Sequence, residues 1–300
     1  MSELMVLGGT MGLHLAVRIA KLMNIELGDI EVKKFPDGET YIRVKSNVEG
    51  KNVIYINSLQ RNPNDQVIET IYTLETLRDL GAEKVIAIIP YMAYARQDDR
   101  FNPGEAISIR ILGKLFRSIK VDRIYTIDMH LHRIRDPREV FGEGFKNLTA
   151  VRELAKYVKK HYNLENTVVI GPDEESEQWA KIMAEELGVD FGVLEKRRIT
   201  AEQVTIEAKG VNVKERDVVI VDDIISTGGT IEAAVKALEN LGARNIIVTC
   251  AHPLLVGNAL PRLLKLNIVD LIGTDTVLSP ISKVSVAPVL VEALKKDLKT

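Results

Sequence analysis

The amino-acid sequence predicts an α/β fold of two similar domains, each a parallel sheet flanked by helices. Short β-branched runs, such as residues 53–56 and 218–221, alternate with segments of helical period, such as residues 13–22. This alternation is typical of βαβ units. The chain has 300 residues, 46% of them hydrophobic, which is enough to bury two cores of about 150 residues each.

An internal repeat supports the division into two domains. A strand, a loop, a helix that ends in Leu-Gly-Ala and a second strand occupy residues 53–90 and again residues 218–253. The glycine of each tripeptide, Gly81 or Gly242, is expected to end its helix in the left-handed conformation. A common αβ ending is the alternative to a true duplication. The copies differ most in the loop after the first strand, NSLQRNPND in one and DDIISTGGT in the other.

Charge, cysteine content and hydropathy exclude several classes of function. The 40 basic and 42 acidic residues leave a net charge of −2, so no strong field attracts nucleic acid or an anionic membrane. The single cysteine, Cys250, lies in an apolar run and is expected to be a core residue. The longest uncharged apolar stretch, residues 85–95, is too short to span a bilayer. We expect a cytoplasmic protein with neither nucleic acid nor membrane as a partner.

Residues 218–230, VVIVDDIISTGGT, carry the strongest functional signal. An apolar strand is predicted to end in two carboxylates, Asp222 and Asp223, before a loop that opens directly into a helix. Gly228 and Gly229 let backbone N–H groups approach an anion, and the helix N-terminus adds partial positive charge. Because carboxylates accept hydrogen bonds from a vicinal diol, the segment predicts a site for a pentose 5-phosphate. An Asp-rich turn with a helix N-cap, the alternative, explains neither the second carboxylate nor both glycines.

Two segments in the first half place polar residues where a strand is expected to end. Residues 96–100, RQDDR, form a polar cluster after an apolar strand, and α/β sheets bind ligands at the carboxyl ends of their strands. Asp128, His130 and His132 alternate with apolar residues, so they share one face if the strand continues that far. An aspartate and a neutral imidazole can hold a metal or bind a polyphosphate. A solvated charge run and a core histidine are the alternatives.

Three other segments predict turns. Residues 35–39, FPDGE, predict a tight reversal because Pro36 presets φ and Asp-Gly favours a turn. Residues 171–176, GPDEES, close a strand of the second half. Residues 194–200 contain three consecutive cations and, with residues 203–208, predict a flap-like hairpin. An ordinary turn and an ordinary basic turn are the alternatives for the first and the last of these segments.

Together these segments resemble the ribose-phosphate diphosphokinase family, also called phosphoribosyl-pyrophosphate synthetases. DDIISTGGT is similar to the ribose-phosphate loop of phosphoribosyltransferase-like domains, whereas YARQDDR resembles a segment of the synthetases that the transferases lack. His132 and Arg133 are similar to the archaeal branch. The resemblance implies two duplicated phosphoribosyltransferase-like domains: residues 1–141 on the ATP-binding side and 142–287 on the ribose 5-phosphate side, with 288–300 returning to the first.

In the first domain the resemblance implies contacts with ATP. Arg96 and Gln97 match residues that contact ATP in the family, and His130 matches a contact to an ATP phosphate or to Mg²⁺, the implied cofactor. In the family the FxDGE hairpin reaches the adenine of a neighbouring subunit's ATP, so a homo-oligomer is required for a complete site. The matching hairpin residues in this sequence are Phe35, Asp37 and Glu39.

In the second domain the resemblance implies the sugar site, a metal contact and a catalytic loop. Asp173 matches a contact to metal and phosphate, although this segment departs from many family members at Glu175, where they have glycine. Lys196 and Arg198 match the family's catalytic loop. The residues that match the ribose 5-phosphate site are Asp222, Asp223, Ser226, Thr227, Gly228, Gly229 and Thr230.

The implied reaction is an in-line attack by the ribose C1 hydroxyl on the β-phosphorus of ATP, with AMP as the leaving group. Catalysis is then mainly positioning and charge stabilisation by Mg²⁺, Lys196 and Arg198, with no general base assigned. The sequence has no GxxxxGK[ST] motif, so it is not a P-loop kinase. The alternatives are a phosphoribosyltransferase and a non-catalytic regulatory subunit of a synthetase complex.

Overall fold

The computed structural model describes residues 3–198 and 204–298, without the side chains of residues 196–198 and 204–205. The chain forms two compact units, one of Met1–Thr149 with Val286–Thr300 and the other of Ala150–Ser285. The sequence analysis placed these boundaries at 141/142 and 287/288. Among the described helices, none combines the length and the apolar character needed to cross a membrane.

The first unit contains six parallel strands, a separate two-stranded hairpin and four helices before the chain enters the second unit. In chain order these elements are β1 (Leu4–Gly8), α1 (Leu13–Met23), β2 (Glu26–Leu27), β3 (Ile30–Lys34), β4 (Thr40–Val44), β5 (Asn52–Ile56), α2 (Pro63–Asp79), β6 (Lys84–Ile88), α3 (Ser108–Ser118), β7 (Arg123–Ile127), α4 (Arg138–Phe141) and β8 (Phe145–Leu148). The sheet has the order β2-β1-β5-β6-β7-β8, and every neighbouring pair is parallel. β3 and β4 pair only with each other, antiparallel.

The centre of this sheet is buried on both faces. Val53, Ile54, Tyr55 and Ile56 of β5 are each fully buried, although successive side chains of a strand point to opposite faces. Such a strand needs helices on both sides of the sheet, which explains its continuous β-branched and aromatic run.

The second unit is built on a seven-stranded sheet in the order β11-β10-β9-β12-β13-β14-β15. Its elements are α5 (Val151–His161), β9 (Thr167–Gly171), a 3₁₀ turn (Glu174–Ser176), α6 (Glu177–Leu187), β10 (Asp190–Arg198), β11 (Val204–Lys209), β12 (Asp217–Ile225), α7 (Gly229–Asn240), β13 (Asn245–Pro253), α8 (Ala259–Leu263), β14 (Asp270–Thr274) and β15 (Ser282–Val284). All neighbouring pairs are parallel except β10 and β11, which are antiparallel. Cys250 of β13 is fully buried, as predicted.

The repeated βαβ unit is present in both sheets, as β5–α2–β6 and β12–α7–β13. Gly81 and Gly242 have φ values of 82° and 83°, so both helices end in the predicted left-handed conformation. The N–H group of each glycine donates to the carbonyl three residues earlier, and the following alanine donates to the carbonyl five residues earlier. The two copies therefore share their helix ending in detail, and the predicted α/β architecture is confirmed.

The chain ends in helix α9 (Ala287–Leu298), which returns to the first unit and packs on α1. The helix begins one residue before the segment 288–300 that the resemblance implied would return to the first domain. Asp297 fixes its last turn, because the carboxylate accepts hydrogen bonds from the Tyr125 hydroxyl and from the Lys146 ammonium, both at 2.6 Å. The return of the C-terminus to the first unit therefore depends on a specific polar anchor as well as on apolar packing.

Candidate functional site

The loop between β12 and α7 has the geometry of an anion site. Gly228 precedes the helix with φ +77°, and a Cβ added there would lie 3.2 Å from Leu263. Only glycine combines that conformation with the available space. Gly228 has no side chain that could cap the helix, so the first N–H groups of α7 remain available to an anion. Thr227, Gly229 and Thr230 of this loop are exposed.

The carbonyl groups of the same loop are held by the surrounding protein. The Val256 N–H group donates to the Ser226 carbonyl at 2.9 Å, and the Arg262 guanidinium donates to the Thr227 carbonyl. Arg262 is itself oriented by Glu232 of α7, with Nε and Oε2 3.1 Å apart. These contacts fix the backbone of the loop before any ligand binds.

Asp222 and Asp223 lie inside β12, which corrects the expectation that the strand ends at them. β12 continues to Ile225 because its pairing with β13 continues to that residue. Both carboxylates are buried, with 9% and 2% of their surface exposed. Burial raises the pKa of Asp222 well above its usual range, and the nearby carboxylates of Asp223 and Asp173 raise it further. The raised pKa favours the neutral form of Asp222, so three carboxyl groups lie close together beside the loop.

Asp173 begins the 3₁₀ turn that follows β9. Its carboxylate oxygen Oδ1 accepts the Ser176 N–H at 3.1 Å, and the Asp173 N–H donates to the Ser176 hydroxyl at 3.2 Å. Gly171 allows this turn to fold back tightly, since a Cβ there would lie 2.4 Å from the Ser176 hydroxyl oxygen. Glu175, where the sequence departs from many family members, is exposed within the turn.

A cleft of about 810 Å³ joins this turn, the β10–β11 hairpin and the start of α7. Its lining includes Glu174, Glu195 and Thr230. A hydrogen bond with Glu195 and repulsion from it raise the pKa of Glu174, whereas the Lys209 ammonium lowers the pKa of Glu195. The wall of the cleft is thus acidic, while its floor offers the N-terminus of a helix.

The predicted flap-like hairpin is confirmed as the antiparallel pair β10 and β11, whose register runs from Val193 opposite Lys209 to Arg198 opposite Val204. Lys196 and Arg198 belong to the carboxyl-terminal part of β10. The side chains of these two residues, and residues 199–203 between the two strands, lie outside the described residues.

In the first unit the segment after β6 exposes Arg96 and ties down Gln97. The Gln97 amide nitrogen donates to Glu105 Oε2 at 3.1 Å, and the same oxygen accepts the N–H groups of Phe101 and Asn102, both at 2.9 Å. The hydrogen bonds from Asn102 lower the pKa of Glu105. One carboxylate thus organises the loop that carries the predicted ATP contacts.

His130 and His132 do not lie on a continuing strand, which corrects that part of the prediction. β7 ends at Ile127, and Asp128 has a positive φ of 34°, which turns the chain out of the sheet. The two imidazoles still meet, with their Nε2 atoms 2.7 Å apart and their rings edge to face. At that distance one ring nitrogen donates a hydrogen bond to the other.

The hairpin of β3 and β4 carries the remaining predicted contacts at its tip. The Phe35 N–H donates to the Glu39 carbonyl at 2.9 Å, and Gly38 has φ +97°, so the predicted tight reversal is confirmed. Asp37 and Glu39 are exposed, and 46% of Phe35 is exposed despite an edge-to-face contact with Tyr41. An aromatic ring and two carboxylates therefore stand together on an exposed turn.

Sequence reasoning missed three residues that organise these loops: Asp98, Glu105 and Arg262. Glu105 holds the backbone of its own loop, whereas Asp98 and Arg262 act on the backbone of segments that are distant in sequence. Asp98 accepts hydrogen bonds from residues 132–134, and Arg262 donates to Thr227. The sequence contains no signal for such pairs, because a lone charge after a strand or on a short helix is usually solvated.

Two family models match the chain, one in each half. The N-terminal domain of ribose phosphate pyrophosphokinase matches residues 4–119, and the phosphoribosyl transferase domain matches residues 143–265. These matches place both parallel α/β units in the phosphoribosyltransferase-like class.

Relatives and a solved structure cover almost the whole chain. A ribose-phosphate pyrophosphokinase of Methanopyrus kandleri is 40% identical over 294 residues, which cover 97% of this chain and 99% of that protein. Ribose-phosphate pyrophosphokinase 1 of Archaeoglobus fulgidus is 40% identical and covers 96% of this chain and 99% of its own. The crystal structure of phosphoribosylpyrophosphate synthetase from Mycobacterium smegmatis has a TM-score of 0.88, with 28% identity and 99% coverage of both chains. The chain belongs to the ribose-phosphate pyrophosphokinase family.

Proposed function

We propose that this chain transfers the β,γ-diphosphate of ATP to the C1 hydroxyl of ribose 5-phosphate, giving phosphoribosyl pyrophosphate and AMP. The observation that carries the proposal is the full-length likeness to ribose-phosphate pyrophosphokinases, which includes both units. A phosphoribosyltransferase needs the second unit's loop but has no use for the segment that carries Arg96 and Gln97.

The second unit is proposed to bind ribose 5-phosphate. The 5-phosphate is held by the N–H groups and hydroxyls of residues 226–230, because this loop offers uncapped amides at a helix N-terminus. The sugar hydroxyls donate to Asp222 and Asp223, which lie next to the loop. Binding orients the C1 hydroxyl toward the diphosphate to be transferred.

The first unit is proposed to bind ATP through Arg96, Gln97 and His130. In the transfer, a bond forms between the C1 oxygen and the β-phosphorus, the bond from that phosphorus to the AMP oxygen breaks, and the hydroxyl proton is released. Lys196 and Arg198 then stabilise the charge on the transferring group, by virtue of their place on the β10–β11 hairpin.

The donor groups of the second unit fit Mg²⁺. Oxygen donors line the acidic cleft, and phosphates entering it need a cation to offset repulsion from carboxylates such as Asp173 and Glu195. Within residues 3–198 and 204–298, no three His, Cys, Asp or Glu side chains form a metal cage. Mg²⁺ commonly binds one or two carboxylates together with substrate phosphates and water. We assign Asp173 of the second unit and His130 of the first as contacts to Mg²⁺, each considered by itself; the cation would offset the negative charge of the substrate phosphates.

An assay of AMP formation from ATP, Mg²⁺ and ribose 5-phosphate tests the function. Phosphoribosyl pyrophosphate and AMP in equal amounts are expected, with ³¹P NMR identifying the product. Consumption of phosphoribosyl pyrophosphate together with a nucleobase would instead identify a transferase. Absence of both reactions would leave the regulatory-subunit alternative.

The exposed hairpin tip is proposed to complete the ATP site of a neighbouring subunit in a homo-oligomer. Two variants that are expected to be inactive test this, Phe35→Ala with a defective hairpin and Gly228→Val with a defective sugar site. If the hairpin serves its neighbour, mixed oligomers contain sites that combine an intact hairpin with an intact sugar site, and activity returns. If each hairpin serves its own chain, every site in the mixture retains one defect and activity stays absent.

A further inference from the structure

The buried carboxylate of Asp98 links two segments of the first unit that are distant in sequence. Only 2% of Asp98 is exposed. A single oxygen, Oδ2, accepts the N–H groups of His132 at 2.7 Å, Arg133 at 2.5 Å and Ile134 at 3.1 Å. Three successive amides converging on one carboxylate oxygen fix the position of a turn that contains no regular secondary structure.

The electrostatics of Asp98 depend on this turn. Among the described residues its second oxygen, Oδ1, is buried and has no hydrogen-bond partner. Burial raises the pKa of Asp98, but the three backbone N–H groups outweigh it, so that the pKa lies below its usual range. The carboxylate is therefore charged inside the protein, and the amides of residues 132–134 are its main compensation.

A second anchor holds the other end of the same segment. The Met129 N–H donates to Asn147 Oδ1 at 3.0 Å, and the Asp128 N–H donates to the Leu148 carbonyl at 2.8 Å. His130 thus lies between a fixed point at residues 128–129 and another at residues 132–134. The first anchor is local to the sheet, whereas the second comes from the segment that also carries Arg96 and Gln97.

We infer that Asp98 is a positioning residue that holds the His130 turn in register with the Arg96–Gln97 segment, an inference that rests on the proposed function. Asp98 contacts no substrate in this role. It acts through the backbone of residues 132–134, so that the groups assigned to ATP form one preorganised surface. Displacement of a catalytic group by about 1 Å can cost on the order of 100-fold in rate.

A double-mutant cycle tests the inference. Asp98→Ala in the wild-type background is expected to lower kcat by ~10- to 100-fold, with the affinity for ribose 5-phosphate unchanged because that site is assigned to the other unit. In a His130→Ala background the same substitution is expected to change kcat by less than about 2-fold, since coupled residues are not additive. Equal losses in both backgrounds would overturn the inference.

Two further variants keep the test decisive. Asp98→Asn retains an acceptor oxygen for the three amides, so it is expected to lose less activity than Asp98→Ala, and it replaces that variant in the cycle if Asp98→Ala does not fold. Asp79→Ala, which removes an exposed carboxylate elsewhere in the first unit, is the matched control and should leave kcat unchanged.

Hydrogen exchange separates this inference from the proposed function. The amides of residues 132–134 should exchange at least ~10-fold faster in Asp98→Ala than in the wild type or Asp79→Ala, because they lose their acceptor. Unchanged protection there would refute the positioning role whether or not the protein forms AMP. A wild-type protein that forms no AMP, yet shows the expected exchange, would refute the proposed function alone.

Discussion

The strand–loop–helix β5–α2 in the first unit and β12–α7 in the second have the same topology, but α2 buries polar side chains besides its apolar ones, whereas α7 buries apolar ones alone. α2 buries polar residues, namely Gln66, Glu69, Thr70 and Thr73. α7 buries only apolar ones, namely Ile231, Ala234, Val235, Ala237 and Leu238. A helix that buries polar groups must pair them, and this requirement decides what the adjoining loop can do.

In the first unit, buried polar side chains pair with one another and close the loop between β5 and α2 to a ligand. Asn57, which follows β5, is fully buried and satisfies its amide with Gln66 and Thr70 while accepting the Met11 N–H at 3.0 Å. In the second unit the equivalent position is Asp222, a carboxylate whose pKa is raised by burial and by its acidic neighbours. In the first copy, the polar groups of the loop bond to side chains of the protein. In the second copy, we propose that the loop keeps its acceptors and amides for a ligand.

Gly228→Val is expected to have the largest effect on activity, because it would block the loop between β12 and α7. The new side chain must adopt φ +77° with its Cβ near Leu263, and it fills the space beside the loop amides. We expect no detectable binding of ribose 5-phosphate by calorimetry. Gly188→Val is the matched control, because Gly188 also has a positive φ, 75°, but nothing lies within 4 Å of its Cβ position. Equal binding in both variants would place the phosphate elsewhere.

The next effect tests the hairpin β10–β11, which lies in the same unit as the loop between β12 and α7. Lys196→Ala and Arg198→Ala are each expected to lower kcat by at least ~100-fold, by analogy with the loss of one preorganised donor. Substrate affinity should change far less, because interactions confined to the transition state do not contribute to ground-state binding. The double variant should be strongly non-additive. Lys209→Ala removes a cation from the same hairpin and serves as the control; near-normal kcat in the single variants would reduce Lys196 and Arg198 to a basic turn.

Asp223→Ala should raise the KM for ribose 5-phosphate by ~10- to 100-fold, which corresponds to the loss of a charge-assisted hydrogen bond of about 1.5–3 kcal/mol. Its counterpart in the repeat is Ser58, whose hydroxyl accepts the Tyr91 N–H at 3.2 Å. Ser58→Ala is therefore the matched control and should leave this KM unchanged. Steady-state kinetics with varied ribose 5-phosphate decide between the two copies. A KM that rises equally in both variants would mean that the loop after β5 contacts the sugar as well as the loop after β12.

The sequence predicted those features of the two copies that depend on local patterns. The strands, the Gly81 and Gly242 helix ends and the phosphate loop follow from periodicity and from glycine conformations over a few residues. Strand ends were less accurate: pairing with β13 carries β12 past Asp223, and the positive φ of Asp128 stops β7 before His130. The ends of strands are determined by neighbouring strands and by tertiary hydrogen bonds, and the local sequence pattern contains neither.

The burial of polar side chains on α2 was not predicted, for a physical reason. Gln66, Glu69 and Thr70 on a helix indicate a solvated face, and only their partners in β5 and in the loop before α1 make them core residues. The same limit applies to Asp98, whose partners lie at least 34 residues away. Buried polar networks join distant segments, so they become visible only in the folded chain.

A substitution in the first copy, β5–α2, is expected to have the smallest effect on activity but a measurable effect on stability. Glu69 is 3% exposed, and its Oε1 accepts the Thr10 N–H at 2.8 Å and the Tyr55 hydroxyl at 3.0 Å. Burial and the adjacent Glu69 carboxylate raise the pKa of Tyr55, so the phenol remains a hydrogen-bond donor. Glu69→Ala leaves both donors without an acceptor.

Glu69→Ala is therefore expected to destabilise the first unit by ~1–3 kcal/mol, seen by calorimetry as a lower melting temperature. Glu69→Gln, which keeps an acceptor oxygen in place, should cost less. Because Glu69 satisfies donors of its own chain, the KM for ribose 5-phosphate should not change in either variant. A raised KM would show that the loop between β5 and α2 also contacts the sugar. An unchanged melting temperature in Glu69→Ala would show that the Glu69 carboxylate does not hold this loop closed.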